Sequence, residues 1–164
     1  MKYYEKKFLS SILKIVLDIL LVVGIGMFLW ISINTTVKDY NSINLSKKII
    51  IYSLFLIGAS ALMIILYNLR KIMDSVIKME PFVRQNVKSL TIISISCFTI
   101  AFCYLINFFI NVKYGNYHFI YIDKAGIHTD MEFLIFFFAG CFILVLANVF
   151  QKAVEVKEEN DLTI

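Results

Sequence analysis

Apolar residues in this chain gather into four long runs. Positions 19–37, 49–69, 89–112 and 133–151 contain no Asp, Glu, Lys or Arg. A helix needs about 20 residues to cross a hydrocarbon core, and each run is close to that length. Between the second and third runs the pattern changes. Leu69, Ile72, Val76, Met79 and Val83 step by three and four among charged neighbours, so helical periodicity continues beyond the apolar run. Pro81 cannot continue that helix and suits the first turn of a new one. The pattern predicts an all-α membrane protein with four transmembrane helices in an antiparallel bundle. Helices 2 and 3 are expected to extend into the cytoplasm as a helical hairpin, with helix 2 helical through about Met79. The spans are expected at about 12–34, 49–69, 89–112 and 132–152. They leave a connector at 70–88, outer loops at 35–48 and 113–131, and a tail at 153–164.

Composition agrees. Hydrophobic residues make up 60% of the 164 positions, and the mean hydropathy is +0.79. Soluble domains are nearer 45–50% apolar, so the excess calls for a lipid surrounding.

Charge sets the expected orientation. Eleven basic residues fall in the N-terminal segment, the connector and the tail: Lys2, Lys6, Lys7, Lys14, Arg70, Lys71, Lys78, Arg84, Lys88, Lys152 and Lys157. Five fall in the two loops: Lys38, Lys47, Lys48, Lys113 and Lys124. The richer side is expected to be cytoplasmic, with both termini there. Topology and anionic lipid heads account for the net charge of +4, so direct nucleic-acid binding is not expected. The Lys-, Asn- and Ile-rich vocabulary points to an AT-rich bacterial genome, and with the four spans the expected location is the bacterial cytoplasmic membrane. The basic start resembles a signal-peptide n-region, but no small-x-small cleavage site follows Trp30, so an uncleaved first span is expected. Cys97, Cys103 and Cys141 all fall inside spans and read as small apolar helix residues.

Polar residues near the spans are the candidate functional positions. Lys14 and Asp18 are four apart and are expected to pair on one helix face. A membrane carboxylate is functional by default, yet Asp18 precedes its apolar run. Asn107 and Asn148 are the deepest amides and are expected to cross-bond helices, or else to line a pathway. Gly24, Gly26, Gly58, Ser60, Ala61, Ala139, Gly140 and Ala147 mark faces for close helix approach. In the second outer loop, Tyr117–Asp123 alternates and a turn at Asp123-Lys-Ala-Gly126 follows, a weak hairpin signal. Such a hairpin brings His118 near His128 beside Asp123 or Asp130, but the spacing matches no established zinc pattern. An amphipathic strand against the bundle is the plainer reading. No metal or cofactor is expected.

The connector and tail carry the remaining chemistry. Val83, Val87 and Leu90 with Phe82 face the first arm's apolar stripe. Glu155, Glu158, Glu159 and Asp161 make the tail acidic, opposite a basic connector on the same side. Phe82-x-x-x-Asn86-Val-Lys88-x-Leu90 and Lys157-x-Glu159-Asn160-Asp161-Leu-Thr-Ile164 resemble two signatures of a bacterial four-span family catalogued as domain of unknown function 2975. Ile164 stands where that family usually ends in Val. The resemblance implies no enzymatic activity. Because its members are often encoded beside a small Cro/CI-type helix-turn-helix regulator, it implies a possible membrane partner for such a protein.

No nucleophile–base pair, phosphate loop or cofactor motif is present, so an enzyme is not expected. The expected role is a regulatory or scaffolding partner of a small cytoplasmic protein. Phe82, Asn86, Lys88, Lys157, Glu159, Asn160 and Asp161 are its candidate contacts. The alternative is a small transporter or export accessory acting as a homo-oligomer, with Asp18, Asn107 and Asn148 as polar markers.

Overall fold

The computed structural model describes residues 2–37, 45–113, 121–123, 126–128 and 132–161. Four helices account for nearly all of them: α1 (Lys2–Val37), α2 (Leu45–Ile77), α3 (Arg84–Lys113) and α4 (Glu132–Asp161). Among the described residues these four are long and apolar enough to cross a membrane. The shortest have 30 residues, or about 45 Å at 1.5 Å per residue. A hydrocarbon core is about 30 Å thick, so every helix overshoots it and carries polar turns beyond. The chain is a multi-pass helical membrane protein.

Helix packing follows chain order. Among the described residues α1 packs on α2, α2 on α3, and α3 on α4. The central helix α3 is therefore buried on two sides. Its buried positions are mostly small or weakly polar: Ser89, Ser94, Ser96, Cys97, Ala101 and Cys103, with Leu90, Ile93 and Ile100. In lipid there is no hydrophobic drive between helices, so association depends on close approach and satisfied polar contacts. Both are present where α3 meets α4. Gly140, Ala147 and Val154 are the buried residues of α4, and their seven-residue spacing is that of a helix seam. The Ser94 hydroxyl donates to the Gly140 carbonyl at 2.9 Å.

Two expectations about the connector change. Helix α2 ends at Ile77, short of Met79, and Pro81 lies outside any helix because α3 begins at Arg84. The physical reason is a complete C-terminal cap. The Met79 N–H donates to the Val76 carbonyl at 3.1 Å and the Glu80 N–H to the Ser75 carbonyl at 3.0 Å. Met79 sits between them at φ 65°. This is a Schellman arrangement with Met in the left-handed position that Gly usually occupies, closed by Pro81. At the other end of the molecule, β1 (Tyr121–Asp123) and β2 (Gly126–His128) form the anticipated hairpin. They pair antiparallel, with Tyr121 opposite His128, Ile122 opposite Ile127 and Asp123 opposite Gly126. The other parts of the conjectured metal cluster, His118 and Asp130, lie outside the described residues.

Gly140 gives a direct test of the α3–α4 contact. A Cβ built there lies 3.0 Å from Phe98 Cε1 and within 3.2 Å of two further ring atoms. The Phe98 ring is backed by Phe137 at 5.8 Å between centroids, so it has little room to retreat. Gly140→Val is expected to cost about 1–3 kcal/mol, measured by SDS titration of the detergent-solubilised protein with far-UV circular dichroism.

Candidate functional site

The start of α1, the α2–α3 turn and the end of α4 lie at one end of the bundle, the basic end. Two ion pairs join α1 to α2 there. Lys14 Nζ lies 2.6 Å from Asp74 Oδ1, and Arg70 Nε pairs with Asp18 Oδ1. The expected Lys14–Asp18 pair on a single helix is thereby corrected. Each helix carries a cation and an anion one turn apart, Lys14 and Asp18 on α1, Arg70 and Asp74 on α2. An antiparallel crossing sets each cation against the other helix's anion. All four side chains remain between 31% and 42% exposed. In water such pairs contribute only about 0–1 kcal/mol each; their clearer effect is to fix the register of α1 on α2. On the same arm Lys71 Nζ stands 4.7 Å over the Tyr67 ring.

The α2–α3 turn is tied inward by Asn86, which is 0% exposed. Its amide nitrogen donates to the Pro81 carbonyl at 2.7 Å and to the Ser75 hydroxyl on α2. The Ser75 hydroxyl in turn donates to the Ile72 carbonyl at 2.8 Å. One side chain thus joins the end of α2, the turn and the first turn of α3. Among the anticipated partner contacts, Asn86 is consequently unavailable to a partner. It is an internal brace, chosen by the need to satisfy a bare carbonyl where the turn leaves helical geometry.

The turn is also fastened to the C-terminal helix. Arg84 Nε and Nη2 donate to Glu158 Oε1 and Oε2 at 2.7 and 2.6 Å, a two-pronged guanidinium–carboxylate fork. Glu158 lies beyond the apolar run, and the Arg84 guanidinium holds its carboxyl below the ordinary range. Phe82 packs on Phe150 with ring centroids 5.4 Å apart, yet remains 44% exposed. Nearby, Gln151 and Lys152 both donate to Glu155 at 3.0 Å. The segment expected as a tail is helical through Asp161, and residues 162–164 lie outside the described residues. Lys88, Lys157, Glu159, Asn160 and Asp161 are exposed on this end. The structure therefore brings connector and tail together through Arg84 and Glu158, with Phe82 packed on Phe150 and Asn86 buried at the turn.

The other polar candidates fall elsewhere. Asn148 is exposed on α4. Asn107 is half-buried on α3, in a cleft of about 530 Å³ lined by residues of all four helices. Neither amide bonds another helix among the described residues, contrary to expectation. Cross-helix hydrogen bonds come instead from Arg84, Asn86 and Ser94. The cleft lies in the half of the bundle away from the ion pairs. It is flanked by two stacked aromatic pairs, Phe28–Phe55 at 5.9 Å and Tyr104–Phe136 at 5.7 Å. No run or motif in the sequence marks this cleft, because its residues come from four separate spans.

Two substitutions at the turn should move stability in opposite directions. Asn86→Ala strands the Pro81 carbonyl and removes the link to Ser75, and is expected to cost about 1–3 kcal/mol. Met79→Gly relieves a left-handed conformation that a side chain disfavours, and is expected to gain about 1 kcal/mol. Thermal unfolding of both variants in the same detergent measures the two signs.

The family model described as "Protein of unknown function (DUF2975)" matches residues 28–164. No curated protein and no solved structure shows a significant match. The match takes in α2, α3 and α4 whole together with the end of α1, and the chain belongs to this family of unknown function.

Proposed function

We propose that the basic end faces the bacterial cytoplasm and that its connector-plus-tail face holds a small cytoplasmic protein. In this reading the chain is a regulatory or scaffolding membrane protein. A Cro/CI-type helix-turn-helix regulator is the kind of partner that the family resemblance implies. The single observation that carries the reading is the Arg84–Glu158 fork, which assembles two separate segments into one surface. Phe82 supplies a half-exposed aromatic backed by Phe150. Lys88, Lys157, Glu159, Asn160 and Asp161 supply exposed polar groups of both signs on the same end. Anchoring aromatics with a polar surround are the usual anatomy of a protein-binding patch. The orientation rests on the eleven-to-five division of basic residues.

The transport reading finds less support. Asp18 is engaged by Arg70, and Asn148 stands on the exposed surface of α4 while Asn107 faces the cleft. These markers do not converge on one path.

The test is co-purification of the full chain with a Cro/CI-type regulator encoded beside it. The wild-type chain is expected to carry the regulator through size-exclusion chromatography in detergent. Reversing Lys157, Glu159 and Asp161 together, with the fold checked by circular dichroism, is expected to release it. A wild-type chain that elutes alone, or a reversed chain that still holds the regulator, would overturn the proposal.

A further inference from the structure

The cleft in the other half of the bundle has its own chemistry, independent of the basic end. We infer that it is a lipid site: it seats one acyl chain of a glycerophospholipid from the surrounding leaflet, with an ester carbonyl of that lipid accepting a hydrogen bond from Asn107.

The cleft is a gap between helices. Among the described residues α1 packs on α2 alone, and α4 on α3 alone, yet both α1 and α4 contribute to its walls. It therefore opens between α1 and the α3–α4 pair, toward the hydrocarbon. Its volume of about 530 Å³ falls within the roughly 300–1,000 Å³ typical of small-molecule sites. Its walls are mostly apolar, and Phe28 and Tyr104 line it together with their stacking partners. Gly58 lies in the wall, and a Cβ there would meet nothing within 4 Å. At the deep end the Met63 methyl lies against Gly24, where a Cβ would stand 2.6 Å from it. A groove of this kind inside a bilayer is occupied by the bilayer's own chains, which are as apolar as its walls.

Asn107 decides what kind of chain. It faces the cleft and makes no hydrogen bond among the described residues. An amide in apolar surroundings is unfavourable unless a ligand satisfies it. Its depth suits an ester. Asn107 is six residues before Lys113, the end of α3, or about 9 Å along the axis at 1.5 Å per residue. Lys113 is the first charge after the apolar run and marks the level of the lipid headgroups. Ester carbonyls lie just below that level, where the hydrocarbon begins. A phospholipid whose carbonyl meets Asn107 directs its chain along Phe28 and Gly58 toward Met63.

The experiment reconstitutes the full chain in dioleoyl phosphatidylglycerol vesicles, extracts it in mild detergent and counts bound lipid by native mass spectrometry. The wild-type chain is expected to retain one phospholipid. Gly58→Leu fills the cleft and should abolish retention. Asn107→Leu keeps the cleft apolar but removes the hydrogen bond, and should weaken retention about tenfold. Gly26→Leu is the control, because a Cβ there also meets nothing within 4 Å but the residue does not line the cleft; it should retain the lipid. All variants are compared at equal helicity, and Ala59→Leu, also in the wall, replaces Gly58→Leu if that variant does not fold. Retention by Gly58→Leu equal to wild type, or equal loss in the Gly26 and Gly58 variants, overturns the site. Recovery of a free fatty acid in place of the phospholipid overturns the assigned source.

Discussion

Everything in this fold depends on how closely α3 lets its neighbours approach. Lipid tails offer no hydrophobic drive for one helix to seek another, so contact distance and satisfied polar groups must supply the association. The two buried sides of α3 meet both demands with serines, cysteines and alanine; the Ser94 hydroxyl donates across the interface to the Gly140 carbonyl, and the Ser96 hydroxyl donates within α3 to the Ile92 carbonyl. Helix α4 answers with Gly140, Ala147 and Val154 in one seam. Helix α1 depends on this arrangement at one remove. It rests on α2, held by the Lys14–Asp74 and Asp18–Arg70 pairs and by the Phe28–Phe55 stack.

The two halves of the bundle follow different physics. At the basic end, charges and amides link segments far apart in sequence. The Arg84–Glu158 fork, the Asn86 brace and the α1–α2 ion pairs make a surface whose shape is set by directional contacts. In the other half aromatic stacks flank an open cleft lined by residues of all four helices. A face made of directional polar contacts is consistent with the protein partner proposed for it. A cleft walled by aliphatic and aromatic groups suits a hydrocarbon chain. One bundle thus presents two chemically distinct surfaces, to two different solvents.

The connector shows how local rules compete. Leu69, Ile72, Val76 and Met79 keep helical spacing, and spacing alone carries α2 to Met79. The cap at Ser75–Glu80 ends the helix at Ile77 instead, and Asn86 then braces the turn that follows. Apolar periodicity records which face is buried. It says nothing of where backbone carbonyls find their last partners.

The sequence by itself determined the four helices and the bilayer as their surroundings; it signalled the hairpin after Tyr121 only weakly and offered a basic connector and an acidic tail that can attract. These follow from run length, alternation and charge, all of which are local. Tertiary structure alone decided who pairs with whom. Lys14 and Asp18 are spaced to pair on one helix, yet each finds its counterpart on α2, because an antiparallel crossing brings complementary charges face to face. Among the described residues Asn86, which looked like a surface contact, is the most buried amide, while Asn107 and Asn148, which looked like cross-helix ties, bond no other helix. The cleft was invisible for the same reason. A gap between helices is a property of their mutual distance and tilt, which no single stretch of residues encodes.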